Sequence, residues 1–308
     1  MKRRSFEVGP AESGSLAGLL AARLEGGPSE ASALVRRGAV YVRGRRVTDP
    51  DRPLQPGDRV LVVLEEGQGS MLAPAPELPP LRVLHRDRSL LAVDKPAGLP
   101  AQPTPGGATN LLGRVAVELG CTPGLVHRLD RETSGVTVFG LDRRATAALS
   151  AAFREGRVAK QYLAATGPGL PEAGVVDLPL SRDPARPGRW RATVQAHGIR
   201  AVTGFRRLGT GPGFALAVLW PRTGRTHQLR AHLAALGAPL LGDARYGGAR
   251  EAGGQRVARC LLHAQGLVLP HPETGEPVML QAPVPDDLGR LFTRCGVAIP
   301  AVQDGKGP

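Results

Sequence analysis

A glycine- and proline-rich stretch divides this chain into a short and a long part. Residues 67–81 contain two glycines and four prolines and have no hydrophobic periodicity, which is typical of a linker. Because 308 residues exceed the usual size of one domain, we expect more than one. The break predicts a small domain over 1–66, the linker over 67–81, a larger domain over 82–298 and a flexible tail over 299–308.

The short part has the pattern of a small α+β module. Leucines at helical spacing predict a first helix, and Ser29 can cap a second helix that ends before Gly38. Two short apolar runs flank Gly44 and predict a hairpin, and residues 58–64 read as a further strand.

Arginines cluster in this part without an acidic residue among them: Arg36, Arg37, Arg43, Arg45 and Arg46. Guanidinium groups suit contacts with RNA phosphates, although a solvated charged face would have the same composition. The module resembles the RNA-binding domain named after ribosomal small-subunit protein four, and the resemblance implies RNA binding.

Strands separated by occasional helices dominate the long part. Apolar residues at helical spacing predict helices over 110–119, 143–153 and 226–236. Strands are predicted over 90–93, 136–141, 160–166, 190–194, 214–220 and 261–269. This order predicts an α+β domain in which helices flank a mixed, largely antiparallel sheet.

One carboxylate lies between two arginines just before an apolar run, in the segment His127-Arg128-Leu129-Asp130-Arg131-Glu132-Thr133-Ser134-Gly135. Opposite charge and charge-assisted hydrogen bonds favour the anion, as a nucleophile requires. Asp130 could instead only accept hydrogen bonds from the turn that follows it.

The same segment closely resembles the H-R-L-D-x-x-T-S-G motif of the RluA-type pseudouridine synthases. Three more segments resemble that family in the right order: the K-P-x-G turn at 95–98, K-x-Y at 160–162 and T-G-R-T-H-Q-L-R at 223–230. The resemblance covers roughly residues 80 to 290, and it implies the pseudouridine synthase fold for the larger domain.

The resemblance implies roles for individual residues. Asp130 would be the catalytic nucleophile, and Tyr162 would stack on the target base and help to remove the proton from its carbon 5. Arg230 would pair with Asp130, with Arg225 as the alternative because the assignment rests on spacing alone. Arg128 would fill the space of a flipped base or bind its phosphate.

Further RNA contacts are expected from Arg225, and from Lys160, which would reach phosphate or the edge of the core. The reaction breaks the bond between ribose carbon 1 and uracil nitrogen 1 and joins carbon 1 to uracil carbon 5. It involves no redox change, so no cofactor is expected. Whether Asp130 attacks ribose carbon 1 or adds to uracil carbon 6 stays open. Either route requires the base to leave its stack.

The composition agrees with an RNA partner. The chain has 40 Lys and Arg against 27 Asp and Glu, a net charge of +13 that favours a polyanion. We expect RNA as the partner, with large-subunit rRNA ahead of tRNA, a monomeric enzyme and no membrane association. Three widely spaced cysteines without a C-x-x-C pair indicate reduced thiols and a cytoplasmic location.

Other functions fit the sequence less well. A non-catalytic RNA-binding or ribosome-assembly factor would need none of Asp130, Tyr162 and Arg230, and a glycoside hydrolase would need a second acid, for which Glu132 is the nearest candidate. No metal site is expected: His227 and His232 lack the i, i+4 spacing of a zinc helix, so they read, with His127, as structural histidines.

Overall fold

The chain forms two compact units, one of residues 1–80 with 102–120 and one of residues 81–101 with 121–308. The computed structural model describes residues 2–10, 12, 14–24, 27–36, 38–64, 80–104, 109–186, 188–193 and 198–303. The predicted linker lies almost entirely outside these residues, so the predicted domain boundaries stay a prediction.

The first unit combines helices with a small antiparallel sheet. Its strands are β1 (Lys2–Glu7), β2 (Val40–Val42), β3 (Arg45–Val47) and β4 (Arg59–Leu64), in the order β1-β4-β2-β3. Its helices are α1 (Leu16–Arg23), α2 (Gly27–Arg36) and α3 (Leu111–Leu119). The predicted cap at Ser29 is wrong, because α2 begins at Gly27. The first helix, α1, does have a capping side chain, because Ser15 accepts a hydrogen bond from the Gly18 amide.

The second unit is built on one large sheet. Its strands are β5 (Arg82–Arg86), β6 (Leu90–Lys95), β7 (Gly124–Leu125), β8 (Ser134–Gly140), β9 (Ala159–Thr166), β10 (Ala173–Asp177), β11 (Leu180–Arg182), β12 (Trp190–Ala192), β13 (Val202–Gly211), β14 (Phe214–Pro221), β15 (Glu251–Ala252), β16 (Gln255–Arg256), β17 (Leu262–Pro270) and β18 (Pro277–Gln281). Its helices are α4 (Arg143–Arg154), α5 (Gln228–Ala235) and α6 (Asp286–Arg294).

The large sheet is mixed and mostly antiparallel, which confirms the predicted fold class. Its order is β10-β13-β14-β9-β17-β8-β6-β5, with β18 also paired to β17 and β7 to β8. Among the strands that the structure describes, only β17 and β8 run parallel, and there His263 faces Ser134 and Ala264 faces Gly135. This pairing brings the start of β8 to the middle of the sheet, where every residue of the strand is buried.

Helices cover the sheet with their apolar faces. Leu149 and Ala152 of α4 pack in one hydrophobic cluster with Val138 of β8. Leu288 and Phe292 of α6 pack in another with residues of β9 and β14. Within the described ranges no helix is long and apolar enough to cross a membrane.

The end of the chain is bound to the sheet as far as residue 303. The Gln161 side chain donates to the Ala301 carbonyl at 2.8 Å, Gln265 donates to the Pro300 carbonyl at 2.7 Å, and Val302 is buried. These contacts place residues 300–303 against the sheet, and the flexible tail predicted over 299–308 stays a prediction. Residues 304–308 lie outside the description.

Candidate active site

Asp130 lies in the loop that leads from β7 into β8. The Thr133 amide donates to the Asp130 carbonyl at 3.1 Å and closes a turn. Two residues later Gly135 has φ 114°, and a Cβ there would lie 2.2 Å from the Ala264 carbonyl oxygen. Because only glycine fits this close approach, Gly135 allows β8 to pair with β17. The pairing in turn fixes the point at which the loop of Asp130 ends.

The K-P-x-G turn holds the other side of this loop. The Gly98 amide donates to the Arg131 carbonyl at 2.8 Å, and the Arg131 side chain returns a bond to the Gly98 carbonyl at 2.9 Å. The fully buried Lys95 ammonium donates to the carbonyls of Pro96, Leu99 and Arg131 at 2.9, 2.8 and 3.2 Å. Burial lowers the pKa of Lys95 to about 7, although the nearby carboxylate of Asp130 opposes this shift.

Arg259, in the segment between β16 and β17, also supports the loop. Its guanidinium donates to the Glu132 carbonyl at 3.5 Å and makes a two-pronged ion pair with Asp287 at 2.6 and 2.7 Å. Asp287 belongs to the first turn of α6, so this contact links the loop to the helix.

Arg230 is shared by two carboxylates. It makes a two-pronged ion pair with the fully buried Asp243 at 2.7 and 2.8 Å, and its Nη1 lies 3.4 Å from Asp130 Oδ2. The Asp130 side chain stays 27% exposed, so a substrate can reach it. Arg225 donates instead to the Arg200 carbonyl at 3.1 Å. Between the two arginines left open by the sequence, the structure places Arg230 at Asp130.

Tyr162 and Lys160 lie on the same face of β9, as their spacing requires. Tyr162 is half-buried and packs against the cluster that contains Leu229. Burial raises the pKa of the Tyr162 hydroxyl and the charge of Asp130 raises it further, so the neutral phenol is favoured. The Lys160 ammonium donates to the Thr223 carbonyl at 2.9 Å and so supports the loop before α5.

Arg128 is exposed beside Asp130, and its guanidinium donates to the Thr226 hydroxyl at 3.1 Å. Arg225 is exposed in the same loop as Thr226. The charged ends of both side chains therefore lie on the surface of the second unit, where RNA could contact them.

Of the three histidines interpreted as structural from the sequence, two, His127 and His232, have structural contacts. His127 stacks on Phe153 and accepts a hydrogen bond from the Val138 amide, and burial lowers its pKa to about 3. His232 is buried and bonds to the Thr203 hydroxyl and the Leu178 carbonyl. His227 differs, because its Nε2 lies 3.9 Å from Asp130 Oδ2. The described residues contain no cluster that could hold a metal ion.

The arginine cluster of the first unit is only partly described. Arg36 is exposed, and Arg43 is bonded to the buried Asp58 and, at 3.4 Å, to Gln55. Arg43 thus has internal partners that would compete with phosphate. Arg37 and the side chains of Arg45 and Arg46 lie outside the description, and RNA binding by this cluster stays a prediction.

Sequence reasoning did not identify several residues of the site. Asp243, Arg259 and Tyr246 are distant in sequence from Asp130, and Asp243 directly follows Gly242. A lone acidic residue after glycine is common in turns, so only its contact with Arg230 reveals its part in the site.

Comparison with known proteins identifies the family of the chain. The family model described as RNA pseudouridylate synthase matches residues 89–235, and the S4 domain model matches residues 19–60. Ribosomal large subunit pseudouridine synthase D of Xanthomonas campestris pv. campestris is 38% identical over 251 residues, which cover 76% of this chain and 74% of that protein. The uncharacterized RNA pseudouridine synthase YhcT of Bacillus subtilis is 36% identical over 244 residues, which cover 76% of this chain and 78% of that protein.

A solved structure of a similar protein has the same fold. Human RNA pseudouridylate synthase domain containing 4 superposes with a TM-score of 0.59 at 30% identity, over 71% of this chain and 95% of that one. The chain is an isomerase that belongs to the RNA pseudouridine synthase family, with an S4 domain before its catalytic part. The resemblances seen in the sequence are thereby confirmed.

Proposed function

We propose that this protein converts uridine to pseudouridine in large-subunit ribosomal RNA, with Asp130 as the nucleophile and the target base flipped out of its stack. The observation that carries the proposal is the position of Asp130. Its carboxylate is open to solvent, lies 3.4 Å from the Arg230 guanidinium, and is held in a loop anchored from both sides. A fixed, accessible anion beside a permanent cation suits nucleophilic attack on a flipped uridine.

The neighbouring carboxylate does not suit a glycoside hydrolase. That reaction needs a protonated acid near the nucleophile. Both oxygens of Asp243 accept hydrogen bonds from Arg230, and the side chain is fully buried, so neither oxygen is open to a substrate. Asp243 therefore positions Arg230 and does not supply a proton.

Tyr162 and Arg128 complete the proposed contacts with RNA. The ring of Tyr162 offers a surface on which the flipped base stacks, and burial holds the pKa of its hydroxyl above the ordinary value, so the hydroxyl carries its proton at neutral pH. The exposed guanidinium of Arg128 is available for the space that the base leaves or for its phosphate. Ribosomal RNA is proposed because the relative from Xanthomonas campestris carries the name of a large-subunit enzyme.

The test compares a deletion strain complemented with three forms of the gene. Pseudouridines are mapped across rRNA and tRNA after complementation with the wild type, Asp130→Asn, or Glu155→Gln as a control in an exposed surface ion pair. We expect an rRNA position to lose its pseudouridine in the deletion strain, and the wild type and the control to restore it. Asp130→Asn should not restore it, although the purified variant still binds the RNA.

Three outcomes would contradict the proposal. A change in tRNA alone would overturn the substrate, and activity of Asp130→Asn would overturn the nucleophile. Unchanged pseudouridine profiles, with a growth defect that Asp130→Asn corrects, would favour a non-catalytic assembly factor.

A further inference from the structure

His227 has an unusual backbone conformation next to the catalytic carboxylate. It lies just before α5 with φ 56° and ψ 19°, the left-handed region that residues with a Cβ rarely adopt. Its side chain makes no capping bond to the helix that would account for this. Such a conformation costs about 1–2 kcal/mol and persists where the surroundings require it. Its effect here is to place the imidazole between Asp130 and Tyr246.

The Tyr246 hydroxyl is placed to donate to one imidazole nitrogen of His227. The Tyr246 hydroxyl lies 3.0 Å from the Trp190 amide and 3.0 Å from His227 Nδ1. The amide can only donate, so the hydroxyl accepts from Trp190 and its own proton is free to point at Nδ1. A neutral His227 whose Nδ1 accepts must carry its proton on Nε2.

The charges around His227 agree with a neutral ring. Burial lowers the pKa of His227, and the guanidinium groups of Arg230 and Arg245 lower it further. The carboxylates of Asp130 and Asp243 act in the opposite direction without reversing the shift. The Tyr246 ring is itself held in place, since the guanidinium groups of Arg189 and Arg230 lie over it at 4.9 and 5.0 Å.

The protonated nitrogen faces the nucleophile. His227 Nε2 is 3.9 Å from Asp130 Oδ2, the same oxygen that Arg230 approaches at 3.4 Å. A separation of 3.9 Å is too long for a hydrogen bond, but active-site bonds often tighten when the substrate binds.

We propose that His227 is a positioning residue whose neutral Nε2–H closes on Asp130 Oδ2 in the RNA complex, with its tautomer set by Tyr246 and the β12 backbone at Trp190. His227 and Arg230 then hold one carboxylate oxygen and leave Oδ1 to react. This inference rests on the proposed role of Asp130 as nucleophile.

Two substitutions separate positioning from simple structural support. The side-chain amide of His227→Gln places a donor where Nε2 lies, whereas that of His227→Asn reaches only the position of Nδ1. Asparagine tolerates the left-handed region better, so His227→Asn should fold at least as stably. We expect kcat to fall about 10- to 100-fold in His227→Asn with little change in KM, and His227→Gln to recover most of the activity. Equal losses in both variants, or a loss confined to KM, would overturn the proposal.

The tautomer can be observed directly. With ¹⁵N-labelled histidine, NMR of the free protein should find Nδ1 of His227 without a proton and Nε2 with one, and Tyr246→Phe should produce a mixture of tautomers and a lower kcat. Finding Nδ1 protonated in the wild type would refute the inference. If Asp130→Asn kept its activity, the proposed function would fail instead. If Asp130→Asn were inactive and His227→Asn fully active, only this inference would fail.

Discussion

Replacement of Asp243 by asparagine removes one charge from the interior while keeping the shape of the side chain. Asp243 is fully buried and the Arg230 side chain is 11% exposed, and their two bonds are 2.7 and 2.8 Å long. The asparagine oxygen can still accept one of these bonds. Its NH₂ group, however, meets the other N–H donor of Arg230, and the guanidinium loses its buried counter-charge.

Loss of one partner from a buried ion pair costs about 3–5 kcal/mol. We therefore expect Asp243→Asn to lower the free energy of unfolding of the second unit by this amount, which shifts the urea midpoint on the order of 1–2 M. Arg230 should also lose its fixed position at Asp130, so kcat should fall together with stability.

The assay is urea unfolding followed by tryptophan fluorescence. The two tryptophans of the chain, Trp190 and Trp220, both belong to the second unit, so the signal reports that unit alone. Asp287→Asn is the matched control, because Asp287 makes the same two-pronged pair with Arg259 but is 37% exposed. We expect the control to lose about 1 kcal/mol. The reasoning is refuted if the control loses as much as Asp243→Asn, or if Asp243→Asn loses less than about 1 kcal/mol.

Two more predictions, with three substitutions, test what holds the loop of Asp130. Burial lowers the pKa of folded Lys95 from 10.5 to about 7, so the unfolded chain binds more protons between these pH values. Relative to Lys95→Met, the wild type should therefore gain on the order of a few kcal/mol of stability from pH 7 to 10, and a constant difference would contradict this. Gly135→Ala should lose about 3 kcal/mol, because φ is positive and the new Cβ would clash with Ala264. Gly98→Ala, with φ 84° and open space around it, should lose only about 1 kcal/mol, and equal losses would contradict the role of the clash.

Local patterns in the sequence predicted much of the fold. The helices at Leu111–Leu119 and Arg143–Arg154 agree with prediction to within one residue, because each has apolar residues at helical spacing and an N-cap, Asn110 or Asp142. Strand β1 (Lys2–Glu7) was missed. Its basic residues hide any alternation, and it becomes a strand by pairing with β4.

Sequence motifs supplied candidate site residues where these lie close together in the chain, and they did not supply those that depend on contacts across it. The nine-residue motif identified Asp130. Spacing within the second motif, at 223–230, could not choose between Arg225 and Arg230. The chain turns at His227 between them, and only Arg230 lies near the carboxylate. His227 read as a structural histidine for the same reason, since its proximity to Asp130 appears only when α5 packs in the unit.

The sequence by itself determined the class of fold, the family and the carboxylate that we propose as the nucleophile, because these depend on periodicity and on residues close together in the chain. Only the tertiary structure decided which groups control that carboxylate. Arg230 and Asp130 are 100 residues apart, and their contact depends on the pairing of β8 with β17 and on the buried charge of Asp243. The strength of a charge–charge interaction depends on distance and burial, and neither can be read from the order of residues.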